Sequence, residues 1–471
     1  MTNAAAPGAR SVRWREALPV WARIALLSFG GPAGQLAVAH RVLVEEKGWV
    51  SESRFLHAMN YCMLLPGPEA QQLVTYMGWL LQGQRGGLVA GGLFIVPGLI
   101  SILLLSILYA GFQDLAIVSA LFFGLKPAVI AIIVQAVLKI GRRAIKDATA
   151  VILAASAFIA MFAFAVPFPY IVIAAAMIGF ATSVVKRRAA RNAATNAATT
   201  APAGDSHEQV DEDASPTNII YSAASRQSPT MLTTLRTVAF WLAIWAVPGC
   251  VIFATLGPEH VLFTQAIFFS KTAMVTFGGA YSVLAYIAQQ AVENFGWLAP
   301  HEMLDGLGLA ETTPGPLIQV VQFVGFLGAF RNPAPFEPYT AAILGSLVTV
   351  WVTFAPCFLW IFAGAPYIEA VRKNERLRDM FGAVTAAVTG VILNLAVWFA
   401  VHVLFGESAR ITFGALQMIL PVLESIRPAS VILALFASVL LFGFRRGMFT
   451  TLAISTAAGM MWFLLARVGG G

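Results

Sequence analysis

Leu64-Leu65-Pro66-Gly67-Pro68-Glu69-Ala70-Gln71-Gln72 decides how this chain folds. The stretch lies in apolar sequence, yet no helix runs smoothly through Pro-Gly-Pro. The first proline has no N–H to donate, and the second holds the glycine before it out of helical geometry. The freed carbonyls and amides must face protein or water, because hydrocarbon cannot satisfy them. A helix can restart after Pro68, with Gln71 in its first turn. Upstream stand Phe29-Gly30-Gly31 and Gly48-Trp49. All three elements recur. Phe277-Gly278-Gly279, Gly296-Trp297 and Pro314-Gly315-Pro316 each follow their first copy by 248 residues, without a gap. Glu45 and Gln71 map onto Glu293 and Gln319 at the same offset, and Arg23 maps onto Lys271. A duplicated membrane unit with helix breakers at matched positions points to a transporter site.

Composition supports that reading. The chain is 58% hydrophobic and 11% charged, with mean hydropathy +0.77, whereas a soluble domain carries roughly 25% charged residues. Stretches such as 88–110 and 115–138 exceed the ~20 apolar residues that span a bilayer. The expected fold is an all-α polytopic membrane protein with about 10–13 transmembrane segments. The ~10-residue alternating strands of a β-barrel are absent. Three scattered cysteines form no C-x-x-C pair, so neither a disulfide framework nor a metal site is expected. The formal charge of +7 fits cytoplasmic loops rather than nucleic-acid binding.

The organisation is read as an N-terminal tail at 1–16, a first membrane repeat at 17–185, a flexible cytoplasmic linker at 186–236 and a second repeat at 237–471. The linker is too polar to bury a core. Expected spans include 17–38, 55–82, 87–110, 237–257, 261–289 and 303–329, with 411–424 and 428–444 an uncertain pair or a single crossing. Charge sets orientation. Lys139, Arg142, Arg143 and Lys146 follow the fourth span of the first half, while residues 111–114 before it carry no cation. In the second half Arg372, Lys373, Arg376 and Arg378 precede the equivalent span. Cations favour the cytoplasmic side, so equivalent spans run in opposite directions. The expectation is an inverted-topology repeat, with the extra helix at 237–257 supplying the inversion.

The candidate substrate-binding residues are Gly30, Gly31, Gly278, Gly279, Pro66, Gly67, Pro68, Pro314, Gly315, Pro316, Gln71, Gln319, Arg23, Lys126 and Lys271. Paired glycines in a helix cost about 1 kcal/mol each relative to alanine. They either unwind the chain to expose N–H groups at a half-helix start, which binds anions, or allow close helix packing. Pro-Gly-Pro is read as a site, with a structural kink as the alternative. Lys126 sits deep in FFGLKPAVIAI and is a functional candidate by its cost, with snorkelling the alternative. Arg23 and Lys271 are matched cations that can also snorkel. Glu69, Glu311 and His40 are candidates for proton coupling. A carboxyl in a low-dielectric site takes up a proton readily, whereas a histidine at a loop edge is more often plain surface. Glu69 and Glu311 are not equivalent under the 248-residue offset. Trp49 and Trp297 are read as interfacial anchors. There is no P-loop, H-E-x-x-H or G-x-S-x-G, so neither an enzyme nor a cofactor is expected.

F-G-G-P-A-G-Q at 29–35, H-R-V-L-V-E-E-K at 40–47, L-L-P-G-P-E-A-Q-Q at 64–72, G-L-K-P-A-V at 124–129, V-T-F-G-G-A-Y at 275–281 and G-L-A-E-T-T-P-G-P-L at 308–317 resemble the chromate ion transporter (CHR) family. The resemblance is to its long-chain, two-domain members. It implies export of chromate across the inner, cytoplasmic membrane, chromate resistance, sulfate as the structural analogue, and drive by membrane potential or an ion gradient, as in an antiporter. Chromate is a tetrahedral dianion, which helix starts, amides and cations suit. A sulfate or other oxyanion transporter and a passive anion channel stay open as alternatives. The expected partners are chromate or sulfate and the lipid bilayer, with no nucleic acid. Oligomeric state is open, a homodimer included.

Overall fold

The helical stretch Glu69–Phe112 is 44 residues long, which as one rod would measure about 66 Å, twice the ~30 Å hydrocarbon layer. It cannot be one rod, and Gly83 folds it. At φ 71° and ψ −160°, that residue ends α4 (69–82) and starts α5 (84–112). The computed structural model describes residues 11–29, 31–113, 115–197, 230–277, 279–368, 375–414 and 416–469.

Before this fold come α1 (Trp14–Leu27), α2 (Gly31–His40, prolonged by a wide turn to Glu46) and α3 (Glu52–Cys62). After it come α6 (Ala116–Ala144), α7 (Ala148–Phe164) and α8 (Phe168–Ala197). Next is α9 (Met231–Leu256), then the second set: α10 (Val261–Val275), α11 (Ala280–Gln289), α12 (Pro300–Thr312), α13 (Val320–Arg331), α14 (Pro338–Gly364) and α15 (Glu375–Leu404). A β-hairpin of β1 (Ser408–Phe413) and β2 (Leu416–Pro421) leads to α16 (Pro428–Ser438) and α17 (Met448–Gly469). Among the described residues seven helical stretches are long and apolar enough to cross a membrane, α5, α6, α14 and α15 among them. The chain is an all-α polytopic membrane protein, and the two-stranded hairpin is a small exception.

The apolar runs at 17–38 and 55–82 read as single spans in the sequence. Each is instead a pair of short helices that turns back on itself. Gln82 Nε2 donates to the Val12 carbonyl at 3.2 Å, and Arg23 bridges to Glu46 at 2.6 Å. The start of α1, the end of α2 and the end of α4 therefore share one end of the bundle, and the breaks at 28–31 and 63–68 are the tips. The second half repeats this. Arg331 donates to the Trp297 carbonyl at 2.7 Å and to Glu302 at 2.6 Å. His260 Nε2 lies 2.8 Å from the Ala334 carbonyl. Those feet share one end, with tips at 276–279 and 313–316.

The two sets of feet lie at opposite ends. α5 leaves the first feet at Gly83, and near its other end Tyr109 donates to Asp305 on α12 at 2.8 Å. Alternate crossings through α6, α7 and α8 bring Ala197, eleven residues into the expected linker, to the end of the first feet. Helix occupies both edges of the expected linker, up to Ala197 and from Met231, and 198–229 lie outside the described residues. Packing between the halves is reciprocal: α6 lies on α17, and α15 lies on α8. These contacts use small residues, as helices in lipid do; a side chain at Gly459 would fall 2.1 Å from the Gly124 backbone.

The apolar run expected at 411–424 is mostly strand, with only a short helical turn at Leu423–Ser425. Ser408 pairs with Pro421 and Phe413 with Leu416 in an antiparallel ladder, turned at Gly414 with φ 60°. The β-branched Ile411 and Thr412 suit the extended backbone. Trp49 and Trp297 are not interfacial anchors either. They are 2% and 3% exposed, packed on Trp21 and Phe295 respectively, and brace the feet from inside.

Candidate functional site

The four tips meet, and each half closes the other. The Gly67 amide donates to the Thr276 carbonyl at 2.7 Å, and the Gly315 amide donates to the Ser28 carbonyl at 2.9 Å. Ser28 and Thr276 are equivalent under the 248-residue offset, as are Gly67 and Gly315. Each Pro-Gly-Pro break is thus satisfied by the break beside Phe-Gly-Gly in the opposite half. An unpaired amide in hydrocarbon costs several kcal/mol, so the two bonds explain how irregular backbone persists at this depth. Gly67 and Gly315 take φ 125° and 107°, and Gly31 and Gly279 take φ 69° and 95°, a region closed to most side chains. Gly30 and Gly278 lie outside the described residues.

Four helices start at this crossing: α2 after Gly31, α4 at Glu69, α11 after Gly279, and the short turn Leu317–Gln319 after Pro316. Their N-terminal dipole ends favour negative charge. The carboxylates are arranged unequally around them. A Cβ placed on Gly279 would come within 3.8 Å of Glu69 Oε1, so Glu69 stands over the second Phe-Gly-Gly. Glu311 is buried and accepts a hydrogen bond from the Tyr281 hydroxyl. That hydroxyl lies 3.9 Å from where a Cβ on Gly31 would be. The first Phe-Gly-Gly therefore faces a tyrosine–carboxyl pair, and the second faces a carboxyl with no side-chain hydrogen bond among the described residues.

Gln71 and Gln319 are buried at these helix starts, but their amide N–H groups go to protein. Gln71 donates to Thr75 Oγ1 at 3.0 Å and Gln319 to the Ile95 carbonyl at 2.9 Å. Both lean on α5, where Gly98 leaves room: a side chain there would fall 1.8 Å from Gln319 Oε1.

Lys126 lies apart from the crossing. Its Nζ is 3.1 Å from Asp305 Oδ1 in a cavity of about 430 Å³ that Tyr109, His301, His402 and Arg427 also line. Asp305, His301, His402 and Arg427 escaped the sequence reading. Asp305 had one signal, a lone acid inside the apolar run MLDGLGLA. Arg23 is an exposed partner of Glu46 at the feet. His40 lies between Glu52 at 2.5 Å and Glu45 at 3.1 Å, at the same end. Lys271 is exposed on α10. The structure groups Gly31, Gly67, Gly279, Gly315, the prolines beside Gly67 and Gly315, Gln71, Gln319, Glu69 and Glu311, and leaves Arg23, His40 and Lys126 elsewhere.

A family model described as "Chromate transporter" matches residues 16–180 and 263–467. The chain belongs to the chromate transporter family. Its matched regions each contain one Phe-Gly-Gly and one Pro-Gly-Pro, and α9 falls outside both. Within this family the chain is 30% identical over 379 residues to a chromate transport protein of Pseudomonas aeruginosa, covering 79% of this chain and 77% of that protein. It is 25% identical to a probable chromate transport protein of Synechococcus elongatus, covering 80% and 81%. An uncharacterized transporter of Methanocaldococcus jannaschii is 21% identical, covering 83% and 85%. No solved structure matches the chain.

Proposed function

We propose that this protein is a secondary active transporter that exports chromate from the cytoplasm across the inner membrane and so confers chromate resistance. The observation that carries the proposal is the crossed pair of tips. Two pairs of helical hairpins that enter from opposite ends and finish each other's hydrogen bonds form a gate that can rock toward either end. In this reading the halves are inverted repeats. The glycines and helix starts hold a tetrahedral dianion, and Lys126 supplies positive field on its path. Glu69 and Glu311 exchange protons as the tips part. The family and the names of its relatives support chromate as the anion.

The test is flux of labelled chromate in proteoliposomes holding the full chain. Uphill movement under an imposed ion gradient is expected, and Lys126→Ala lowers it at least about tenfold, the usual scale for losing one charge-assisted contact. Flux that only runs downhill makes the protein a channel. Sulfate that is itself carried faster than chromate reassigns the substrate. An unimpaired Lys126→Ala variant removes Lys126 from the path.

A further inference from the structure

We infer that Asp305 is a tethered anion that occupies Lys126 in the empty protein and competes there with the transported oxyanion. The inference rests on the transport reading above, and concerns how the anion leaves. Asp305 is 2% exposed, whereas the Lys126 side chain is 22% exposed toward the cavity. Its Oδ2 accepts from Tyr109 at 2.8 Å. Its Oδ1 lies 3.1 Å from Lys126 Nζ. Asp305 therefore keeps its bond to Tyr109 when the lysine swings away.

Charge counting gives the exchange its direction. Lys126 and Asp305 neutralise each other, and Arg427 enters no ion pair among the described residues while lining the same cavity. A doubly charged anion entering between Lys126 and Arg427 reaches both cations, whereas Asp305, held at Tyr109, reaches only Lys126. The dianion displaces Asp305 when it is present at the cavity. Asp305, tethered at high effective concentration, retakes Lys126 as the dianion moves off toward Arg427. The cavity lies at the end of the bundle holding the second set of feet, because Gln113, at the end of α5, and Arg427, after the β-hairpin, both line it. Release at that end is what Asp305 accelerates.

The experiment measures chromate transport by the full chain in proteoliposomes, as half-saturating concentration and maximal rate. Asp305→Asn keeps the shape and the Tyr109 contact but removes the competitor. It is expected to lower both the half-saturating concentration and the maximal rate by about tenfold, since binding tightens and release slows. A merely structural ion pair gives the opposite: Asp305→Asn strands the lysine and raises the half-saturating concentration. Tyr109→Phe frees Asp305 to hold Lys126 harder, so it raises the half-saturating concentration. This second variant tests the idea even if Asp305→Asn fails to fold. An unchanged or raised value for Asp305→Asn, or a lowered one for Tyr109→Phe, overturns the inference. If Lys126→Ala still abolishes transport in that case, the transport reading survives alone. If Lys126→Ala transports normally, both fall.

Discussion

The two contacts at the crossing share a backbone and differ in chemistry. At one, Gly67 donates to Thr276 and Glu69 stands over Gly279 without a described side-chain partner. At the other, Gly315 donates to Ser28, and Glu311 beside Gly31 is tied to the Tyr281 hydroxyl. The peptide hydrogen bonds obey the 248-residue offset and the carboxylates do not. Tip geometry is a requirement of putting broken helices in lipid, and both halves must meet it. If the carboxylates exchange protons as proposed, that task needs only one competent group on each side, and the two are free to diverge.

The comparison breaks most sharply at its glycines. Gly315→Ala is expected to abolish transport and lower stability the most. A Cβ there sits 2.6 Å from Gln319 Oε1 and 3.1 Å from the Gly98 backbone, at φ 107°. The left-handed backbone and the clash together cost roughly 2–5 kcal/mol. Gly67→Ala meets the tip of Gln72 and the Cys357 sulfur, which can shift, so it should lie at the lower end of that range. Thermal unfolding of the two variants in detergent checks the order, and an equal loss would mean that backbone strain alone sets the cost.

The carboxylates give the next largest difference. Tyr281→Phe leaves buried Glu311 without its donor and should cost about 1–3 kcal/mol. Glu69→Gln breaks no described hydrogen bond and should cost less, under about 1 kcal/mol, the scale of losing an anion at a helix start, while still slowing transport. Melting curves and chromate flux on the same two preparations separate these effects. If both variants destabilise alike, the two carboxyls are equally embedded and the asymmetry is only one of sequence position.

The smallest effect is expected at the feet. Arg23 and Glu46 form an exposed pair, worth less than about 1 kcal/mol. Arg23→Ala should leave stability and chromate flux nearly unchanged. A large loss of flux with unchanged melting would return Arg23 to the anion path.

Much of this architecture was legible in residues. Pro-Gly-Pro announces a broken helix, because proline chemistry is local. The duplication shows in spacing alone. What could not be read is which break closes which. Gly67 and Thr276 are 209 residues apart in the sequence, and no local rule pairs them. For the same reason Gln71 and Gln319 looked like ligand donors when their amides are committed to Thr75 and Ile95. Lys126 was visible as a costly charge, but its partner was not, since Asp305 comes from the other half. The β-hairpin was missed because Ile411, Met418, Ile419 and Leu420 are as apolar as a membrane helix, and hydropathy does not distinguish the two.

The crossed amides also bear on how the chain can be made. Gly67 needs a carbonyl encoded in the second half, and Gly315 needs one encoded in the first. A ribosome that has finished only α1 to α8 has delivered a hairpin whose tip is still hungry for a partner, and must wait through the polar segment and α9 for it. The long connection is therefore a delay as well as a tether. A gene split at that segment is expected to yield two products that each leave one tip unpaired until they meet.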